Sequence, residues 1–353
     1  MRVWLFACPA FFLCLMPATL PDLGSCQRAL IIKPSSLGDL VHTLPSVHLL
    51  KQQFPHIEFS WLVNPEFAPL LEGNPDLAGT ILFPRENFRG AHGLWNFTRW
   101  LKQLPAQLQP DIALDFQGLL RSGLTARFSR APVRIGFSDS REGARFFHTH
   151  IIRVDPNAHA IDRSLTLPRT LGLPGPDIFP LPQGSRPASL ASGADAPLLL
   201  HPFSRGTGKS LTPAQTLGLC QVLAPLSVIL VGRTGLTLPP LPPNTQNLIN
   251  QTTLPELIWL IRRARGVISV DSGPMHIAAA LTPNVLSLHT WSDPRKVGPW
   301  HPGTTVWKAG RLMPASQLDP GICSLNSDFP DSAITQVAAW AHELPNPSMP
   351  ARP

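Results

Sequence analysis

Three short segments put charged side chains and glycines at the point where an apolar run gives way to a helical pattern. The first is Lys33-Pro-Ser-Ser-Leu-Gly-Asp39-Leu-Val-His42. Amides exposed at a helix start suit an anion. Taken singly, an Asp at a helix amino end is a cap more often than a catalyst, and a lone Lys at a strand end is a solvated charge. The second is Val270-Asp271-Ser272-Gly273-Pro274-Met275-His276, where Ser272 or Gly273 caps a helix and Pro274 fits its first turn. Free amides and the helix dipole there suit a diphosphate; the competing reading is a well-capped core helix with His276 packed on its inner face. The third, His201-Pro-Phe-Ser204-Arg205-Gly-Thr-Gly-Lys209-Ser210, joins glycines that let backbone approach a ligand to two cations that offset phosphate charge. Alone it is a flexible basic loop. The first loop fits neither GxGxxG nor GxxxxGK[ST], so neither a dinucleotide fingerprint nor a P-loop is supported there.

Such loops need strands and helices in alternation to hold them. Apolar runs at 29–32, 58–63, 112–116 and 133–136 read as strands, and 39–53, 91–108 and 160–171 as helices. The same grammar restarts with strands at 198–201, 227–231, 266–270 and 284–288 and helices at 212–223, 254–264 and 274–280. Alternation of this kind predicts parallel sheets covered by helices, with ligands at the carboxyl ends of the strands. The order expected along the chain is an apolar extension at 1–26, a first domain at 27–175, a Pro/Gly/Ser/Ala-rich linker at 176–196, a second domain at 197–345 and a Pro-rich tail at 346–353. An amphipathic helix at 331–343 is expected to pack back across the two domains.

At 353 residues the chain is long enough for two ordinary domains and a cleft between them. A formal charge of +7 favours anionic partners, but no helix-turn-helix, zinc or RNP-type pattern supports nucleic acid. Five widely spaced cysteines without a CxxC pair argue against a disulfide framework or zinc site and for a reducing compartment. The expected address is the cytoplasm or the inner face of the cytoplasmic membrane. Residues 3–20 are almost wholly apolar behind Arg2, yet Pro9 and Pro17 interrupt them and they fall short of the ~20 uninterrupted residues of a spanning helix. An over-extended start, a membrane-associating segment and an export signal are the readings, in that order.

Four stretches carry more together than apart: Ile32-Lys-Pro-Ser-Ser-Leu-Gly-Asp-Leu-Val-His-Thr-Leu-Pro45, Asp115-Phe-Gln-Gly-Leu-Leu-Arg-Ser122, Ser269-Val-Asp-Ser-Gly-Pro-Met-His276 and Ser292-Asp-Pro-Arg-Lys-Val-Gly-Pro299. In this order, between Arg28 and Trp300, they resemble glycosyltransferase family 9, the ADP-heptose lipopolysaccharide heptosyltransferases. The resemblance implies an α/β, GT-B architecture: two Rossmann-like domains with parallel sheets facing an inter-domain cleft. It also implies an inverting transfer of heptose from ADP-heptose to a lipopolysaccharide inner-core or related acceptor, with no metal and no cofactor. The chain holds no Asp-x-Asp pair of the sort that binds a metal-nucleotide.

On this resemblance Asp39 is the general base, and Lys33 sits near the acceptor or the Asp39 carboxylate. Lys209 and the helix start running through Ser272, Gly273, Pro274, Met275 and His276 hold the donor diphosphate. Asp271, Ser204 and Arg205 touch the donor elsewhere, and Ser36, Gly38, His42 and Gln117 touch the acceptor. Arginines crowd residues 121–145; such density is usually a solvated face, but guanidinium forks match carboxylates and phosphates. Arg121 and Arg141 are therefore candidates for gripping an acidic, lipid-linked glycan such as a Kdo-bearing core. Two departures matter. Ser210 stands where many members carry Trp, and the stretch after Val231 lacks the acidic residue that often contacts the donor ribose. The next carboxylate, Glu256, reads as a capping box with Thr253. Transfer of another nucleotide-linked sugar, or nucleotide-sugar binding without catalysis, remain the alternatives.

Overall fold

The computed structural model describes residues 20–175, 178–191, 196–206 and 208–345, the side chains of 105–107 excepted. Residues 1–19, the tail 346–353 and parts of the expected linker (176–177 and 192–195) lie outside the described residues. The first half runs β1 (Arg28–Ile32), α1 (Leu37–Gln53), β2 (Glu58–Val63), β3 (Gly79–Leu82), α2 (Gly93–Leu108), β4 (Ile112–Asp115), α3 (Leu120–Phe128), β5 (Val133–Phe137), β6 (His150–Ile152) and α4 (Ala160–Thr170). The second runs β7 (Leu198–His201), α5 (Pro213–Val222), β8 (Val228–Leu230), β9 (Thr245–Asn247), α6 (Leu254–Arg263), β10 (Gly266–Val270), α7 (Gly273–Leu281), β11 (Val285–His289), α8 (Pro294–Val297), β12 (Thr305–Lys308), β13 (Arg311–Pro314), α9 (Pro320–Cys323) and α10 (Asp331–Glu343).

The strands form two sheets, ordered β3-β2-β1-β4-β5-β6 and β13-β12-β11-β10-β7-β8-β9. All pairings are parallel except β12 with β13. Counted from its own first strand, the first half has the order 3-2-1-4-5-6 and the second the same order with a seventh strand added at the end, so each has a crevice where the winding reverses, between β1 and β4 and between β7 and β10. The central strands are covered on both faces, so β4, β7, β10 and β11 are buried at every position and are mostly apolar, with the polar exceptions Asp115, His201, Ser269, Ser287 and His289. Edge strands β3 and β9 bury nothing fully and carry no such signal.

Two features of the packing set the site. Asp115, at the end of β4, is fully buried; its Oδ1 accepts the amides of Gln117 (2.9 Å) and Gly118 (3.0 Å), and its Oδ2 accepts the Ser122 hydroxyl (2.9 Å). The equally buried His148 faces the same Oδ2 from Nε2 at 3.0 Å, which fixes the turn into α3. The second feature is the seam between lobes, where α1 packs on α7 and one apolar cluster runs through Leu40, Leu44, Ile258, Met275 and Ile277. Any side chain at Gly38 would collide with the His276 ring, and a Cβ at Gly273 would stand 2.7 Å from Leu37. The two helix amino ends therefore touch backbone to side chain, and His42 Nε2 meets His276 Nδ1 at 2.9 Å.

The expected cross-domain packing of the last helix is not what the structure has. Ala333, Val337 and Ala341 of α10 lie in the second domain's own cluster with Leu219 and Cys220 of α5. Small residues at i, i+4 and i+8 let the two helices approach closely, and Gln215 bonds Phe329 O (2.6 Å) to lock them. The described linker is pinned on both sides: Arg262 on α6 donates to the carbonyls of Leu181 and Pro182, and Asn74 in the first domain to Pro180 O.

Two stability predictions follow from these contacts. Asp115→Ala, which strands two amides and His148 in the core, lowers the unfolding free energy by about 3–5 kcal/mol, read from the urea midpoint. Burial holds His201, His276 and His289 at about 4, below the 6.5 of a free imidazole. Because the folded chain binds these protons more weakly than the unfolded one, their contribution is complete above pH 6.5 and is lost as pH falls toward 4. Thermal melts across that window are expected to show a fall of order 2–3 kcal/mol per histidine.

Candidate active site

The β1–α1 turn presents Asp39. Ser36 is the N-cap in extended conformation, and Asp39 at the third helical position reaches back, its Oδ2 accepting the Ser36 amide (2.9 Å) and hydroxyl (2.6 Å). The capping role read for an Asp at this position is thus real. The other oxygen, Oδ1, lies 3.8 Å from Lys33 Nζ, and the side chain keeps 44% of its surface exposed. Lys33 is buried behind it and donates to Phe116 O at 2.9 Å. Burial pushes the Asp39 carboxyl up, but the Lys33 charge and the two Ser36 donors outweigh it and leave the pKa lowered. Asp39 is therefore ionised at neutral pH.

On the opposite lobe, the β10–α7 turn presents a helix amino end. Ser272 is the N-cap, yet its hydroxyl does not cap the first turn; it meets His201 Nδ1 and Ser269 Oγ, each at 3.2 Å. The amino end is left without a side-chain cap, the arrangement that receives an anion. Lys209, from the loop after β7, donates to Asp271 Oδ2 at 2.5 Å, and its ammonium lies 4.9 Å from the Trp291 ring centre. Burial raises the Asp271 carboxyl, but His289, Lys209 and Ser292 together bring it below its ordinary value. Ser210 closes the loop, its hydroxyl accepting from Ser204 N (2.8 Å) and donating to Ser204 O (3.1 Å).

These two turns open into one cavity of about 550 Å³ between the lobes. Ser36, Gly38, Asp39 and His42 line it from the first domain, and Ser204, Arg205, Lys209, Asp271, Ser272, Gly273, Pro274 and His276 from the second. Other residues singled out in the sequence lie elsewhere. Met275 is in the core, its amide bonded to Ser272 O (3.1 Å). Gln117 supports the loop from behind, its Oε1 3.4 Å from Ser35 N. Arg121 and Arg141 are exposed outside the cavity; Arg121 donates to Phe88 O (3.2 Å) and Arg141 reaches Gly118 O through its amide (2.8 Å). Glu256 makes the capping box with Thr253, its Oε2 accepting the Thr253 amide (2.7 Å) and hydroxyl (2.8 Å).

The cavity also holds residues that the sequence reading missed. Arg163 on α4 lines it, with Nη1 on Asp139 (2.7 Å) and a buried Nε that has no hydrogen-bond partner. Arg233 lines it after β8, and Glu66 pairs with Arg205 at 3.3 Å across the opening. The one available signal for Arg163 was a charge between buried Ile161 and Leu165 on a helix face. Among the described residues no three His, Cys, Asp or Glu side chains converge as a metal ion requires, and no helix is long and apolar enough to cross a membrane.

The family model of glycosyltransferase family 9 (heptosyltransferase) matches residues 98–198 and 237–318, just over half of the chain. Lipopolysaccharide heptosyltransferase 1 of Pseudomonas aeruginosa is 30% identical over 302 residues, 79% of this chain and 81% of that protein. Lipopolysaccharide core heptosyltransferase OpsX of Haemophilus influenzae is 24% identical over 291 residues, 77% and 81% of the two chains. Among solved structures, E. coli heptosyltransferase WaaC with ADP aligns at a TM-score of 0.68 and 22% identity, over 89% of this chain and 99% of that one. E. coli ADP-heptose lps heptosyltransferase II aligns at 0.69 and 20% identity, over 90% and 99%. At these identities the structures speak for the fold, which is GT-B, and the facing crevices and shared cavity above are its expression. With the family model and a 30% identical relative agreeing over most of its length, the chain belongs to glycosyltransferase family 9 and is a glycosyltransferase.

Proposed function

We propose that this protein moves heptose from ADP-heptose to an acidic lipopolysaccharide inner-core acceptor, with inversion at the anomeric carbon and without a metal ion, at the cytoplasmic face of the membrane. The observation that carries this reading is that an ionised carboxylate from one lobe and an uncapped helix amino end with a lysine from the other line a single cavity. Related proteins support the substrate class: WaaC of E. coli has been solved with ADP and with ADP-2-deoxy-2-fluoro heptose.

In the proposed step the acceptor hydroxyl lies between Asp39 Oδ1 and the donor's anomeric carbon. Its oxygen bonds to that carbon as the carbon–diphosphate bond breaks on the opposite face, and its proton passes to Asp39. The electron pair leaves on the diphosphate, where Lys209 and the α7 amino end offset the growing charge. A carboxylate with a lowered pKa is a weak base, but the incoming diphosphate adds negative charge to the cavity and raises it, so donor binding itself strengthens Asp39. Lys33, hydrogen-bonded to Phe116 O, holds the carboxylate charged until then.

A second reading, transfer of a different nucleotide-linked sugar by the same chemistry, is favoured by one observation. Where a ribose-binding carboxylate is expected after β8, the cavity is lined by Arg233. A panel of nucleotide-sugars with a lipid-free Kdo acceptor separates the two.

With purified enzyme, Asp39→Asn is expected to keep nucleotide binding, measured calorimetrically, while turnover falls about 10²–10⁴-fold. Lys209→Ala is expected to weaken nucleotide binding about 10–100-fold. Wild-type turnover in Asp39→Asn removes the carboxylate from its role, whereas no turnover of the wild type with any donor, with nucleotide binding retained, leaves a nucleotide-sugar-binding protein.

A further inference from the structure

The arginines that the cavity does not use stand beside exposed aromatic rings. Leu94 is 75% exposed, Trp95 61% and Phe146 76%, large apolar side chains left in water. Each ring carries a guanidinium: Arg99 lies 5.4 Å from the Trp95 ring centre and Arg145 5.2 Å from that of Phe146. Scattered single apolar residues are ordinary on a surface, but these belong to contiguous elements. Arg121 reaches from α3 to lie 5.9 Å over Phe97 of α2. Glu142, just before the turn that bears Phe146, accepts the α3 amide of Leu120 at 3.2 Å.

The charge on this region is one-sided. Residues 85–145 hold ten Lys/Arg against five Asp/Glu, which is +5 of the chain's formal +7. One of the five, Asp115, is buried against His148 and is not part of the surface. We infer that this α2–α3 face of the first domain docks on an anionic lipid bilayer, with Trp95, Leu94 and Phe146 entering the headgroup layer and the arginines meeting lipid phosphates. Aromatic and aliphatic side chains interleaved with arginine match such an interface, where the ring sits at the apolar boundary and the cation stays in the polar layer. A soluble polyanion would engage the guanidinium groups and leave the apolar side chains in water. The face adjoins the acceptor side of the cavity, since the loop leading into α3 carries Gln117, which contacts Ser35 beside Asp39. A docked enzyme would thus meet a membrane-held acceptor without extracting it.

The test is co-sedimentation of the full chain with vesicles of phosphatidylethanolamine and phosphatidylglycerol, against vesicles of phosphatidylcholine alone. Wild type is expected to bind the anionic vesicles, with affinity falling as salt rises. The double variant Trp95→Ala, Phe146→Ala is expected to bind them at least about tenfold more weakly. Arg99→Gln, Arg145→Gln is expected to lose the preference for the anionic vesicles. Melting temperatures should stay at the wild-type value, because all four side chains are exposed. Wild-type binding by both variants overturns the inference and moves the contact to another part of the chain. Binding to heparin with none to vesicles overturns it as well. Because binding is read without turnover, its failure leaves the transferase proposal standing, and an inactive donor panel leaves the docking face standing.

Discussion

The amino ends of α1 and α7 meet across the seam between lobes, and most of what this molecule does depends on that contact. It is possible because Gly38 gives room to the His276 ring and Gly273 to Leu37. Two helix amino ends placed together repel, since each carries roughly half a positive charge. The structure answers with a carboxylate at each turn, Asp39 and Asp271, and with histidines that burial keeps neutral in between. A protonated His42–His276 pair would add charge to the same place. The outcome is a cavity whose field favours anions but whose own structure is not torn apart by it.

Within that cavity the charged groups of the two turns are held by their neighbours. Ser36 fixes one oxygen of Asp39 and leaves the other toward the cavity. Asp271 fixes Lys209. Behind Lys209, the fully buried Lys308 donates to the carbonyls of Thr290 and Ser292 (2.9 and 3.0 Å), and the Thr290 hydroxyl donates to Gly208 O (2.8 Å). Those bonds set the loop that carries Trp291 against the Lys209 ammonium. Donors and charges arranged in advance need not reorganise around an incoming anion, which is where a preorganised site gains over water.

The cations of the first domain face two ways. Lys33 and Arg163 are turned inward, one behind Asp39 and one on the cavity wall. Arg99, Arg121, Arg141 and Arg145 are turned outward along α2, α3 and the turn after β5. Arg163 has the same side chain as the four that face outward. What separates them is the helix face on which each falls and the partner that face meets.

The sequence by itself determined the alternation of elements, the central strands and the chemistry of the helix starts. Parallel strands buried on both faces must be largely apolar, as Leu198–His201 and Gly266–Val270 are but for His201 and Ser269, and helix ends need particular residues, as Thr253 with Glu256 shows. These are local requirements, so local sequence records them. Edge strands such as β3 and β9, the small polar helix α3, and α8 and α9 of four residues each left no comparable trace. Tertiary structure alone decided that α10 stays with its own domain, that Arg163 rather than Arg121 reaches the cavity, and that Asp39 both caps its helix and faces the opposite lobe. Which residues meet across a seam depends on how two finished surfaces fit, and no stretch of one chain segment carries the shape of the other.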